Sequence, residues 1–175
     1  MESTPDNSKA DTLNDIGVLK RREIEARIVA PLIERFAEEF GEDRVVELAR
    51  ETVVDVARGQ GAVLAEAMGG NDLAKFADSM ENWTKGGALE IEVREQSETT
   101  FAFDVVRCQY ADMYRSLNIP ELGALLSCNR DGTMVEGFNP DIAFERNQTI
   151  MGGASHCDFR YSLESNEVAV EIEDQ

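Results

Sequence analysis

From Ile16 onward, apolar positions recur at three- and four-residue steps. Ile24, Ile28, Leu32, Ile33, Phe36 and Phe40 fall on one face of a predicted helix. Pro31 lies inside this run and is expected to kink or divide the helix, because it has no N–H and clashes with the preceding turn. Gly41 suits a C-cap, and Asp43 the start of a second helix with apolar positions from Val45 to Ala67. Gly59 and Gly61 weaken that helix by about 1 kcal/mol each relative to alanine, or else permit close packing or a bend. Gly69-Gly70 stops it. Asn71 is the predicted cap of a short third helix with Leu73, Phe76, Ala77 and Met80 inward, and Gly86-Gly87 ends that unit.

The period then changes to two. Leu89, Ile91 and Val93 alternate with charged residues, and so do Phe101, Phe103 and Val105 with Ala102, Asp104 and Val106. Gln96 to Thr99 form the polar turn between them. This predicts a β-hairpin with one buried face. Helical stretches follow over 110–117 and from Pro120 to Leu126, proline being well suited to a first helical turn. Residues 142–150 read as a third strand and 158–163 as a fourth, with the glycine loop Met151-Gly152-Gly153-Ala154 between them. Residues 168–175 can add an edge strand or fray. The fold class is therefore α+β, with N-terminal helices packed on a mainly antiparallel sheet of roughly four strands with inserted helices. Residues 1–12 are polar and read as a disordered tail, and 13–175 as one domain.

Composition narrows the function classes. The net charge of −18 lacks the basic footprint that phosphate backbones require, so no nucleic-acid partner is expected. No apolar run is long enough to span a bilayer, so no membrane partner is expected either. The N-terminus has neither a basic nor an apolar signal region. With three cysteines, an odd count, the expectation is reduced thiols in the cytoplasm. The apolar face of the first helix can be buried within the domain or across a homo-oligomer.

All three cysteines and the only histidine lie between Cys108 and Cys157. In a regular strand His156, Asp158 and Arg160 point to one face, and Cys157 and Phe159 to the other. Asp158 could then orient His156, with Cys128 or Cys108 as its thiol partner. A bend at Gly152-Gly153 would instead let His156 and Cys157 act together. After Cys128, the residues Asn129, Arg130 and Asp131 bring an amide, a guanidinium and a carboxylate into one turn. That set can clamp a small carboxylate and leave an acid or base free, although Asp131-Gly132 also reads as a plain turn. Cys108 reads as core. Tyr110 and Tyr114 share a helix face and either pack inside or line a pocket. Asn139-Pro140 marks a turn, and Glu136 reads as exposed. Three cysteines and a histidine could furnish a zinc site, but there is no Cys-x-x-Cys pair and adjacent His156 and Cys157 would rarely share one ion. No metal or other cofactor is expected.

Several blocks in order resemble the L-2-amino-thiazoline-4-carboxylic acid hydrolase family. They are Cys108-x-Tyr110-Ala-x-Met-Tyr114, Pro120-Glu-Leu-Gly-Ala-Leu-Leu-Ser-Cys128-Asn-Arg-Asp131, Glu136-Gly-Phe-Asn139-Pro140, Arg146-x-Gln148-Thr-Ile-Met-x-Gly153-Ala and His156-Cys-Asp-Phe-Arg-Tyr161. The resemblance implies hydrolytic opening of a small five-membered heterocycle, a cyclic amidine-thioether bearing a carboxylate, to a carbamoyl-cysteine. On that expectation a thiolate of Cys157 or Cys128, or a water activated by His156, attacks the amidine carbon. Asp131 or Asp158 holds the histidine or protonates the leaving nitrogen. Arg130 or Arg160 binds the carboxylate, with Asn129, Tyr110, Tyr114 and Asn139 around the substrate. The competing reading is a non-catalytic ligand-binding or sensor domain of vinyl-reductase-like type. A pocket lined by Arg130, His156 and Arg160 favours the enzyme, and an apolar pocket with those groups outside favours the binding domain.

Overall fold

The computed structural model describes residues 16–163. The expected tail over 1–12 and the expected end over 168–175 lie outside them. The N-terminal half consists of helices α1 (Val18–Phe40), α2 (Glu42–Ala67), α3 (Leu73–Ser79) and the single turn α4 (Glu81–Thr84). Strands β1 (Leu89–Gln96) and β2 (Thr100–Cys108) form the hairpin. Helices α5 (Gln109–Ser116), α6 (Pro120–Leu126) and α7 (Asp131–Phe138) follow, with a 3-10 turn at Cys128–Arg130 between the last two. Strands β3 (Ile142–Glu145) and β4 (Cys157–Leu163) complete the sheet. The sheet is antiparallel in the order β1-β2-β4-β3, so the fold is the predicted α+β arrangement.

The helices depart from the sequence pattern in instructive ways. α1 runs unbroken through Pro31. The carbonyl that proline leaves without a donor belongs to exposed Arg27, where water can serve it. Of the large side chains on the predicted face of α1, Ile33 is buried as expected, but the buried face is otherwise a different one. Val18, Arg22, Ala26, Ala30 and Ile33 point inward, whereas Ile24, Ile28, Leu32, Phe36 and Phe40 are exposed. Small Ala26 and Ala30 allow close approach of the backbone, which the bulkier stripe would prevent. The cap of α3 is Asp72 rather than Asn71, its carboxylate accepting from the Lys75 N–H at 2.9 Å.

α7 was not expected, because Asp131-Gly132 signals a turn and two glycines in eight residues lower helix propensity. Its glycines are what hold it. A Cβ on Gly137 would lie 2.0 Å from the Arg58 carbonyl oxygen, and one on Gly61 would lie 2.0 Å from that of Met134. α2 and α7 therefore cross with their backbones in contact. Of the alternatives at Gly61, the close-packing one is observed, whereas Gly59 faces open space.

The sheet's inner face carries the main core. Phe101, Phe103, Val105, Cys157 and Tyr161 pack with Leu73 and Phe76 of α3 and with Val135 and Phe138 of α7. Phe103 and Phe159 stack with centroids 4.9 Å apart. β2 is buried on both faces, not one. On its outer side Asp104 accepts from Arg94 and Arg160, both at 2.7 Å. The third strand stops at Glu145, five residues earlier than its pattern predicts, and the chain leaves the sheet at Arg146.

Candidate functional site

A cavity of about 600 Å³ lies between the helical layer and the inner face of the sheet. Its floor is β2 and β4, through Val105, Cys157 and Phe159, and its helical wall includes Val56, Gln60 and Val63 of α2. The segment from Cys108 to Asp131 closes one side with Tyr110, Ser127, Cys128, Arg130 and Asp131. Arg22 of α1, Trp83 beyond α3 and Arg146 from the loop after β3 complete it. All three cysteines line this one space, so Cys108, read as core from the sequence, is brought to the cavity as well. The pairing that achieves this is non-local. Val105 sits opposite Cys157 in the β2–β4 ladder, and the Cys108 sulfur caps α5 by accepting the Ala111 N–H at 3.4 Å.

The charged centre of the cavity wall is an ion pair between Asp131, in the first turn of α7, and Arg146. Arg146 also donates to the Cys128 carbonyl at 3.2 Å, and its guanidinium lies over the rings of Phe144 and Phe159, 5.7 and 5.2 Å from their centroids. Aromatic faces, one carboxylate and one carbonyl thus hold its orientation. Burial pushes the Asp131 carboxyl up to about 6, against the opposing pull of Arg146. Part of its side chain nevertheless stays accessible, and it faces a cavity large enough for water.

Burial also raises the thiols, Cys108 to about 11 and Cys128 to about 12, the latter with help from the Asp131 charge. Cys157 is raised by burial as well. The Ile150 N–H donated to its sulfur at 3.2 Å and the Arg146 charge act in the opposite sense. All three are thiols, not thiolates, at neutral pH.

Of the residues singled out from the sequence, Cys108, Cys128, Cys157, Asp131, Arg130 and Tyr110 line the cavity, and the others do not. Tyr114 is fully buried, with its hydroxyl 2.9 Å from the Ser127 Oγ, and it lines a second cavity between α1 and α2. Asn139 caps the end of α7, donating to the Asn71 carbonyl and accepting from the Asp141 N–H, both at 2.9 Å. The Asn129 amide nitrogen is buried without a partner among the described residues. Glu136 is exposed and paired with Arg58.

The predicted couple of Asp158 and His156 is not formed. Asp158 accepts the N–H groups of Asn147 and Gln148 at 3.0 and 2.8 Å, tying down the loop. His156 has the Gln148 amide 2.9 Å from its Nε2 and the Ser155 hydroxyl 3.1 Å from its Nδ1. Arg160 is held by Asp104 and the Phe103 carbonyl on the outer face. Strand alternation in β4 keeps Asp158 and Arg160 on the side away from Cys157, and His156, in the bend just before β4, does not line the cavity. Among the described residues, no group of three or more His, Cys, Asp or Glu side chains is arranged to hold a metal ion.

Arg146 was not singled out as a functional residue. The signal for it was present, since alternation from Ile142 through Phe144 puts Arg146 on the inner face. An arginine in register with core residues needs a buried partner, and Asp131 is that partner.

The fold and the cavity define a small α+β domain built around a ligand-sized space walled by thiols, a carboxylate and guanidiniums. The chain belongs to the L-2-amino-thiazoline-4-carboxylic acid hydrolase family, whose model matches residues 21–161. No curated protein matches it. Among solved structures it is similar to the phenol-responsive sensory domain of the transcription activator PoxR with phenol. The identity is 11% and the TM-score 0.50, covering 77% of this chain and 72% of that one. It is similar also to a trafficking protein particle complex subunit 3 from Naegleria fowleri covalently bound to palmitic acid. There the identity is 10% and the TM-score 0.50, over 83% of this chain and 96% of that one. At such identities these two structures establish a shared fold. Among the described residues no helix is long and apolar enough to cross a membrane.

Proposed function

We propose that this chain is a hydrolase that opens a small carboxylate-bearing C–N/C–S heterocycle of the 2-aminothiazoline-4-carboxylate type. Family membership supports the hydrolase class. The observation that carries the reading is the Asp131–Arg146 pair on the wall of the cavity that Cys128 and Cys157 also line. Arg130 receives the substrate carboxylate, because Arg160 is committed to Asp104. Asp131 takes a proton from water as the oxygen adds to the amidine carbon. It passes that proton to the amidine nitrogen, then relays the proton of the added hydroxyl to the departing ring heteroatom as the carbonyl forms and the C–S or C–N bond breaks. A carboxyl near 6 serves in both directions at neutral pH. Arg146 holds the ionised form in place. In the covalent variant of this route Cys157 or Cys128 attacks instead, and its proton passes through Asp131 to the ring heteroatom as the ring opens, because neither thiol is ionised beforehand. Water then cleaves the bond between the cysteine sulfur and the former amidine carbon, which releases the carbamoyl product and restores the thiol.

The test is ring opening of 2-aminothiazoline-4-carboxylate, followed by the appearance of carbamoyl-cysteine. Asp131→Asn is expected to lower kcat by about 100-fold or more, and full activity in that variant would refute the assignment. If Cys128→Ala and Cys157→Ala both keep full rate, attack is by water. Protein treated with EDTA and free of metal by elemental analysis is expected to stay active. A loss restored by zinc would require a metal-dependent mechanism.

A second reading, a ligand-binding domain without catalysis, is favoured by one observation: the cavity is largely apolar, with His156 and Arg160 outside it. The similar sensory domain that responds to phenol supports the same reading. Tight binding with no turnover of aminothiazoline carboxylate, thiohydantoins or hydantoins would select it.

A further inference from the structure

A second cavity of about 570 Å³ opens between α1 and α2, walled mainly by apolar side chains such as Ile33, Phe36, Leu48 and Val53. Four residues line both spaces: Arg22, Val56, Gln60 and Arg130. Arg22, Gln60 and Arg130 make the seam between the two largely apolar chambers polar, with Arg130 hydrogen-bonded to Gln60 and Arg22 paired with Glu25.

One feature of the seam calls for an anion. Arg130 is half-buried, its hydrogen-bonding partner Gln60 is neutral, and the nearby Arg22 charge adds to the cost of its own, a cost that the charges of Glu25 and Asp131 offset in part. A carboxylate at the seam would supply the missing charge to Arg130. Size points the same way. At roughly 30 Å³ per non-hydrogen atom, a compact heterocycle of about nine such atoms fills less than half of the inner chamber and none of the outer one.

We propose, on the basis of the carboxylate seat assigned above, that the ligand of this site is an amphiphile. Its carboxylate lies at the Arg22–Arg130 seam, and an apolar substituent extends into the α1–α2 groove. The preferred substrate is then such a carboxylate-bearing ring that carries a hydrophobic tail.

Binding is read by isothermal titration calorimetry. The titrants are straight-chain carboxylates of about two to about twelve carbons, kept below micelle formation, and the matching primary alcohols. Affinity for the acids is expected to rise about fourfold per added methylene until the groove is filled. Arg130→Gln should weaken the acids about tenfold and leave the alcohols unchanged. Val53→Phe should shorten the chain length at which affinity levels off. Leu48→Gln, at a half-exposed groove position that tolerates a polar side chain, should weaken only the long acids. Equal affinity for short and long acids would overturn the tail assignment and leave the hydrolase reading intact. Equal binding of acids and alcohols, unaffected by Arg130→Gln, would remove the carboxylate seat on which both rest. A homodimer disrupted by Val53→Phe, with no dependence on chain length, would assign the groove to a second copy and also overturn the proposal.

Discussion

Asp131 and Cys157 show how little residue identity says before the surroundings are known. Asp131 begins a helix, faces the cavity and meets Arg146, so burial and pairing pull its carboxyl in opposite directions and burial prevails. Between its ordinary value of 3.8 and about 6 the folded protein holds this proton and the unfolded chain has lost it. The contribution of Asp131 to stability therefore falls as pH rises through that window. Asp104 has the opposite sign. Hydrogen bonding from Arg160 lowers it, so its contribution is present above its unfolded value and is lost as pH falls. Urea unfolding between about pH 4 and pH 7 should show Asp131→Asn losing stability less steeply with rising pH than the parent. An unchanged slope would mean that the carboxyl is not raised. At this scale strand periodicity made the facing of Cys157, Phe159, Asp158 and Arg160 legible. It did not reveal that Asp158 serves the Asn147 and Gln148 amides, because those bonds depend on a loop path that no periodicity encodes.

Elements were legible where a local pattern had one reading. The hairpin, α3, α5 and α6 lie where spacing and turn residues put them, because hairpin turns and helix stops are local chemistry. α1 and α7 were misread for a common reason. α1 has apolar side chains on more than one face, so its neighbours select which is buried, and they select the alanine side. α7 has a weak helical sequence that only the contact with α2 makes helical. The three glycines of this region give a sharp comparison. Gly61→Ala and Gly137→Ala each drive a methyl into a backbone carbonyl and should cost about 3 kcal/mol. Gly59→Ala meets open space and should add about 1 kcal/mol. Thermal melts of the three variants check both signs.

At the scale of the molecule, the order β1-β2-β4-β3 does the assembling. It inserts β4 between β2 and β3 and so brings Cys157 and Phe159 beneath α2, opposite the Cys128–Asp131 turn. Phe103 sits at the centre of this arrangement, fully buried and stacked on Phe159. Phe103→Ala should cost about 3 to 5 kcal/mol, read as a fall in denaturation midpoint. It should also weaken ligand binding, because Phe159 forms part of the cavity wall. Loss of stability with unchanged affinity would separate the core from the site.

The sequence by itself determined the α+β class, the hairpin, the segment that carries the chemistry and the family, since these follow from local periodicity, turn residues and ordered motifs. Tertiary structure alone decided that Cys108 joins the cavity, that Asp131 is answered by Arg146, that His156 and Arg160 stay outside, and that Arg22 and Arg130 mark a seam between two chambers. Those relations join residues that are far apart in the chain or that turn on the path of a loop. They are set by which surfaces bury each other, and a one-dimensional pattern does not hold that information.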